Sequence, residues 1–242
     1  MKKIISLIIS AALVFVLFSG CGSDYSKTIG IIQFGTHPSL NNCYDGIVAG
    51  LEEGGIDLDE YTIDRQNSNF DSSVSATQAN TFADKNVAII GAIATPSALA
   101  AASAVNGEIP VIYTAISDPV SAGLPEMDNV AGSSDLFDFD NQLKLIRSFL
   151  PDATTIGVIY CTAEDNSLSQ IATLTDLAPD YGFEVETVSI TLTNEIPTAV
   201  DTLINKGVDC FCNLTDNTVV GSLDLILEKT DAAGIPIFGS EV

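Results

Sequence analysis

Two short apolar segments of this chain occur twice, in the same order and at nearly the same offset. Thr28–Ile32 recurs as Thr155–Ile159, 127 residues later, and Ile109–Ile112 recurs as Ile235–Phe238, 126 residues later. Single matches of this length are common, but the shared order and offset indicate an internal repeat. The repeat predicts two α/β lobes of similar topology, each with a parallel sheet flanked by helices.

Strand and helix patterns alternate along the chain. Continuous apolar runs such as Val87–Ala94 are typical of central parallel strands. Strands are predicted at Lys27–Phe34, Tyr61–Arg65, Val87–Ala94, Ile109–Ala115, Thr155–Cys161, Glu184–Ile190, Val208–Leu214 and Ile235–Phe238. Helices are predicted at Ser39–Glu53, Ser72–Asp84, Pro96–Val105, Leu143–Leu150, Leu168–Tyr181, Ile196–Lys206 and Thr218–Ala233.

The repeat and the alternation together suggest a domain division. We assign residues 28–136 to an N-terminal α/β lobe and residues 137–242 to a second one. Parallel sheets bind ligands at the carboxyl ends of their strands, and pockets favour domain interfaces. The loops that follow the strands are therefore the candidate site.

Residues 1–20 have the layout of a secretory signal peptide. Lys2 and Lys3 precede an apolar run from Ile4 to Phe18, which is short for a membrane span of about 20 residues. The ending at Cys21 resembles a bacterial lipobox, although Phe18 stands where Leu is commoner, and an ordinary signal peptide is the alternative. A lipid anchor at Cys21 on the extracytoplasmic face of the cell membrane is predicted, with residues 21–27 as a tether.

The charge balance excludes several classes of protein. The chain has 9 Lys and Arg against 32 Asp and Glu, a formal net charge of −23. Nucleic-acid binding and a polybasic membrane patch both need clustered cations, so neither is expected. One His and scattered Cys argue against a zinc site, and no phosphate loop, dinucleotide motif or nucleophile elbow occurs. We expect a binding protein without a cofactor or resident metal, and not an enzyme.

Two hydroxyl residues follow the most apolar strand. Thr95 and Ser97 open a predicted helix, whose free N–H groups and positive dipole end favour an anion such as a ligand carboxylate. The alternative is that Thr95 only caps the helix.

Other loop residues leave two interpretations open. Asp216 could face a ligand ammonium or cap the helix that begins near Asn217. Asp118 is first a turn residue and then a candidate contact, and Asn166 can both donate and accept. His37 has no catalytic partner nearby in sequence, so it is either exposed or faces the ligand.

Several segments together resemble one family, the ABC-transporter substrate-binding lipoproteins that include tryptophan- and tyrosine-binding members. The segments are Ile29–Phe34 with His37-Pro38, Ala92–Ala98, Ile109–Val111 with Ser117–Leu124, Asn166-Ser167 with Ser169-Gln170, and Thr215–Val219.

This resemblance implies a type I periplasmic-binding-protein fold and capture of an amino acid for an ABC permease in the membrane, and the family suggests an aromatic amino acid. It implies that Thr95 and Ser97 bind the ligand carboxylate and that Asp216 and Asn217 contact the ligand from the second lobe. The remaining matches to cleft positions are Gln33, His37, Asp118, Asn166 and Glu241.

One departure from the family leaves alternatives open. Family members continue well beyond the equivalent of Glu241, so we expect the C-terminal part of the second lobe to be missing here. A ligand-sensing receptor subunit of a signalling system and a non-functional truncated remnant are the two alternatives to transport.

Overall fold

The computed structural model describes residues 24–240, which form nine strands and eight α-helices. The strands are β1 (Thr28–Gln33), β2 (Thr62–Asn67), β3 (Ile89–Ile93), β4 (Val111–Ile116), β5 (Val130–Ser134), β6 (Thr155–Cys161), β7 (Glu184–Ile190), β8 (Cys210–Cys212) and β9 (Ile237–Phe238). The helices are α1 (Pro38–Glu53), α2 (Ser72–Lys85), α3 (Thr95–Val105), α4 (Phe139–Phe149), α5 (Asp165–Leu177), α6 (Ile196–Lys206), α7 (Asn217–Val220) and α8 (Leu223–Ala233).

The first lobe, defined here by the sheet of β1–β5, is a parallel sheet of order β2-β1-β3-β4-β5. Successive side chains of β1 alternate between the faces, since the strand period is two. Ile31 therefore packs under α1 with Leu40, while Ile32 joins the core formed with α2 and α3, which includes Phe82. Both faces are thus apolar, as a buried parallel strand requires.

The second lobe, defined by the sheet of β6–β9, repeats this plan with the order β7-β6-β8-β9, again all parallel. Helices α4 and α5 cover one face around Leu143 and Ile156. Helices α6 and α8 cover the other face around Leu203 and Ile226. The α/β prediction of two sheets flanked by helices is confirmed.

Several elements differ from the sequence prediction, among them helix α4, which begins at Phe139 and not at Leu143. Strand β5 was not predicted, because Val130 is the only strongly apolar residue of its five. The helix predicted over Thr218–Ala233 is two helices, with Gly221 ending α7 and Ser222 preceding α8. The helix predicted over Leu168–Tyr181 begins earlier, at Asp165, and its last turn is a 3₁₀-helix. Between residues 24 and 240, no helix combines the length and the apolar character that crossing a membrane needs.

Candidate functional site

The carboxyl ends of the two sheets face each other, and the loops that follow the strands touch across the gap. Hydrogen-bonding contacts join the lobes: Ser72 Oγ donates to the Ala163 carbonyl (3.4 Å), His37 Nε2 lies 3.4 Å from Asn217 Oδ1, and the hydroxyls of Ser117 and Thr215 are 2.5 Å apart. The lobes are therefore in contact around a cleft, as the parallel topology predicts.

Cavities remain within this cleft. One of about 370 Å³ is lined by residues of both lobes: Thr95, Leu99, Asp118, Ser121, Ala122, Asp165, Asn166 and Ser169. A second, of about 350 Å³, lies beside Thr215, Asn217 and Ser240. A third, of about 370 Å³, lies between His37 and Gly221. We refer to the first as the Thr95 cavity, and it is large enough for a small organic ligand.

The start of α3 supplies unpaired polar groups to this cleft. The hydroxyls of Thr95 and Ser97 are buried and have no hydrogen-bond partner among the described residues. Buried polar groups are normally paired, so two neighbouring unpaired hydroxyls need an explanation. Thr95 is the first helical residue and makes no capping bond, so the interpretation of Thr95 as a simple cap was wrong.

The backbone just before α3 is strained. Ala94 has φ 79° and ψ 155°, a region that is essentially restricted to glycine. Such a conformation costs about 1–3 kcal/mol and persists only where the surrounding structure imposes it. Here it turns the chain directly from β3 into α3, so that the helix N-terminus points at the cleft.

The Thr95 cavity is also lined by acceptors, one from each lobe. Asn166 is buried and donates from Nδ2 to the Thr215 carbonyl (2.8 Å), which leaves its Oδ1 unpaired among the described residues. Asp118 accepts from the Ser121 amide (2.9 Å) and hydroxyl (2.5 Å). These bonds, together with one from Ser169 of the second lobe, lower the pKa of Asp118 and keep it ionised. Hydroxyl donors and carboxylate or amide acceptors thus face the same space.

A loop of the second lobe is held rigidly behind this cleft. The Thr215 amide donates to Gln170 Oε1 (2.9 Å), and Gln170 Nε2 donates to the Thr215 hydroxyl (2.5 Å). Asn217 Nδ2 donates to Glu164 (2.6 Å), which leaves Asn217 Oδ1 directed at His37 of the first lobe. The start of α5 therefore fixes the side chains that meet the first lobe.

Sequence reasoning missed a buried pair of carboxyl groups, Glu164 and Asp216, between the starts of α5 and α7. Glu164 accepts hydrogen bonds from the amides of Asn217 (3.1 Å) and Thr218 (2.9 Å) and lies 2.7 Å from the Thr218 hydroxyl. Burial and the neighbouring Asp216 carboxylate raise the pKa of Glu164 to about 8, and burial raises the pKa of Asp216 as well. Two adjacent buried carboxyls share one proton at neutral pH because both cannot ionise cheaply.

Asp216 itself has a structural role. Its carboxylate accepts from the amides of Cys161 (2.5 Å) and Val219 (2.9 Å) and from the Ser167 hydroxyl (2.7 Å), and it caps α7. The capping alternative is confirmed, and a ligand contact by Asp216 remains only a prediction.

The other predicted residues divide into three groups. His37, Asn166, Asn217 and Asp118 reach the cleft, and His37 is buried, so its interpretation as merely exposed was wrong. Gln33 is instead occupied within the first lobe, where its oxygen accepts from Arg65 (2.5 Å) and its nitrogen donates to Gly35 (2.6 Å). Glu241 and Cys21 lie outside the described residues, as do the signal peptide and residues 22–23 of the tether.

We find no metal-binding site in the part of the chain that the structure describes. No group of three or more His, Cys, Asp or Glu side chains there could hold an ion.

A family model and a curated relative both match this chain over nearly its whole length. Residues 28–242 match the family described as ABC transporter substrate binding protein. A tyrosine-binding protein of Clostridioides difficile (strain R20291) is 37% identical over 261 aligned residues, which cover 99% of this chain and 75% of that protein.

Two solved structures are similar to this chain in sequence, and one of them contains a ligand while the other is ligand-free. An ABC domain in complex with L-Trp from Streptococcus pneumoniae is 35% identical with a TM-score of 0.83, over 90% of this chain and 75% of that one. The ligand-free, open structure of a substrate-binding protein with adhesive properties from Clostridium difficile is 38% identical with a TM-score of 0.58, over 89% and 75%. The lobes here thus have an arrangement closer to the ligand-bound structure, which agrees with their contacts across the cleft.

Proposed function

Because this chain belongs to the ABC transporter substrate-binding protein family, we propose that it captures an amino acid between its two lobes. The family is one of binding proteins and not of enzymes. In this proposal the protein works outside the cytoplasm and delivers its ligand to an ABC permease in the membrane.

The unpaired hydroxyls at the start of α3 carry the proposal. Thr95 lines the cleft cavity and Ser97 is buried two residues further on, at the N-terminus of an eleven-residue helix, where free N–H groups and the positive end of the helix dipole favour an anion. A carboxylate bound there would accept hydrogen bonds from both hydroxyls. It would therefore satisfy the polar groups that the protein itself leaves unpaired.

The acceptors that line the same cavity suit the other end of an amino acid. Asn166 Oδ1 is unpaired within the described residues and the Asp118 carboxylate is ionised, so both can accept from an ammonium group. Donors and acceptors that line the same cavity match a zwitterion. We propose an aromatic side chain on the ligand, because similar proteins are a tyrosine-binding protein and a domain solved with L-Trp.

The attachment to the membrane forms a separate part of the proposal. Lipidation of Cys21 would supply two acyl chains, which is about what stable anchoring needs. A Cys21→Ser variant is expected to appear in the soluble extracytoplasmic fraction, while the unaltered protein stays with the membrane. Mass spectrometry of the mature N-terminus would identify the lipid, and an unmodified Cys21 would contradict the anchor.

Calorimetric titration with L-tyrosine, L-tryptophan and a panel of other amino acids tests the ligand. Thr95→Val keeps the side-chain volume but removes the hydroxyl, and Ser97→Ala does the same at the second position. Each is expected to weaken binding about tenfold or more, because hydrogen bonds to charged groups contribute about 1.5–3 kcal/mol.

The matched control is Thr77→Val, on the exposed surface of α2, which should bind as the unaltered protein does. Tyrosinamide, which lacks the carboxylate, should bind far more weakly than tyrosine. Equal binding of the amide, or full binding by both hydroxyl variants, would place the carboxylate elsewhere.

A further inference from the structure

We propose that the Phe70 ring is a positioning residue for cleft closure, seated in the closed state against Gly221 of the other lobe. The two residues are 151 positions apart in sequence and belong to different lobes. A Cβ built on Gly221 would lie 2.6 Å from Phe70 Cζ and 3.1 Å from its Cε2. The first distance is shorter than two carbon atoms tolerate and the second is tight, so the ring occupies the space that a side chain at position 221 would need.

The first lobe holds the ring in place. Phe70 has a φ of 62°, which is rare for a bulky residue, and its amide donates to the Phe34 carbonyl (2.8 Å). Its ring meets the Phe34 ring edge to face, with centroids 6.0 Å apart. On the other side it covers Gly35, where a Cβ would lie 1.9 Å from Phe70 Cε1. The ring is therefore fixed before the second lobe arrives.

The contact with Phe70 is the tightest that a side chain at position 221 would meet. Gly221 has φ −60° and ψ −13°, a right-handed helical conformation that alanine adopts without strain. Within its own lobe, the nearest atom to an added Cβ is the Asn217 carbonyl oxygen, at 3.1 Å, one helical turn away. An alanine at position 221 would thus fit the isolated second lobe but collide with Phe70 when the cleft closes.

This contact gives closure an apolar component beside the hydrogen bonds between His37 and Asn217 and between Ser117 and Thr215. The ring lies at the edge of the cleft, since Gly221 also lines the cavity next to His37. Phe70 therefore influences affinity without touching the ligand. The inference rests on the proposed function only in that a bound ligand is taken to stabilise the closed arrangement, which the ligand-free chain also populates.

The experiment uses Gly221→Ala, Phe70→Ala and the double variant, with Gly46→Ala on α1 as control because a Cβ there meets nothing within 4 Å. Calorimetry with L-tyrosine and L-tryptophan measures affinity, and small-angle X-ray scattering with and without ligand measures closure. Thermal melting without ligand measures whether each variant folds.

Gly221→Ala is expected to melt as the unaltered protein does without ligand, yet to bind about tenfold more weakly or worse and to stay more extended with ligand. Adding Phe70→Ala to it should restore closure, since the collision needs both side chains. Normal binding by Gly221→Ala, a lowered melting temperature without ligand, or no rescue in the double variant would each overturn the proposal.

A different outcome would separate this inference from the proposed function. If neither amino acid binds the unaltered protein, the proposed ligand is wrong, and scattering without ligand then decides. The unaltered protein should be more compact on average than Gly221→Ala, because only the unaltered protein can reach the closed state. Identical scattering curves would overturn the role of Phe70.

Discussion

At the scale of single residues, the pair of Glu164 and Asp216 determines how the second lobe responds to pH. Both carboxyls are fully buried, and Glu164 receives bonds from the start of α7 while belonging to the turn before α5. A buried carboxylate next to another one is costly, so the folded state retains a proton that the unfolded chain releases. Glu164 also accepts a hydrogen bond from Asn217, whose side-chain oxygen contacts His37 of the first lobe. The protonated pair is therefore directly bonded to a residue of the contact between the lobes.

The sign of the pH effect follows from the raised pKa. Glu164 has a pKa of about 8 in the folded protein, against about 4.3 in an unfolded chain. Between these values the folded state holds one more proton, so the free energy of unfolding falls as the pH rises through this window. The contribution is fully present below about pH 4.3 and is lost above about pH 8.

Glu164→Gln is therefore expected to remove a slope of about 1.4 kcal/mol per pH unit from the stability profile. Urea unfolding at pH 5, 6, 7 and 8 measures that slope directly, whatever the absolute stability of the variant. Glu228→Gln, on the exposed surface of α8, is the matched control and should keep the slope. If Glu164→Gln has the same slope as the unaltered protein, the pair does not share a proton.

Residue-level prediction from sequence depends on how local the signal is. Thr95 and Ser97 could be selected because they follow an apolar strand and open a helix. Glu164 could not, because its partners Asn217 and Thr218 are more than 50 residues away in sequence and only the fold brings them together. In the same way, Gln33 resembled a cleft residue until its bonds to Arg65 and Gly35 were known.

At the scale of elements, apolar runs predicted most strands and helices, and strand β5 shows why one strand was missed. Its sequence of Val, Ala, Gly and two Ser carries neither alternation nor a β-branched run beyond Val130. It is a strand because β4 offers it an edge, and Gly132 lets it approach closely. A Cβ on Gly132 would lie 2.1 Å from the Tyr113 carbonyl oxygen.

Gly132→Ala is accordingly expected to weaken the pairing of β4 with β5 and to lower the free energy of unfolding by about 1–3 kcal/mol. Urea unfolding measures the change, and hydrogen exchange at the β5 amides should show where protection is lost. The control Gly50→Ala lies in α1, where an added Cβ meets nothing within 4 Å. Alanine is favoured over glycine inside a helix, so this control should be neutral or slightly stabilising.

At the scale of the whole molecule, the repeat offset predicted two lobes, but no sequence feature could predict how they meet. The closed arrangement depends on pairs such as Ser117 with Thr215 and Phe70 with Gly221, whose members come from different lobes. Each half of such a pair looks ordinary in sequence. Closure is therefore a property of the assembled cleft.

Net charge is the other property of the whole molecule. The chain carries a formal charge of −23, and the ion pairs among its described residues, such as Lys27 with Glu60, are largely at the surface. Excess charge of one sign opposes the compact state, and salt screens it over about 10 Å at 0.1 M. We therefore expect the melting temperature to rise when NaCl is increased from 10 mM to 200 mM at pH 7. An unchanged or lowered melting temperature would mean that self-repulsion does not limit stability.

The same argument predicts a contrast between stability and binding. A zwitterionic amino acid has no net charge, so the acidic surface neither attracts nor repels it at long range, and its dissociation constant should change little over the same salt range. An anionic or cationic ligand would respond in opposite directions, because screening reduces repulsion for the first and attraction for the second. Calorimetry with L-tyrosine at both salt concentrations measures this, with thermal melting of the same samples as the internal control. A strong salt dependence of binding would indicate that the physiological ligand carries net charge.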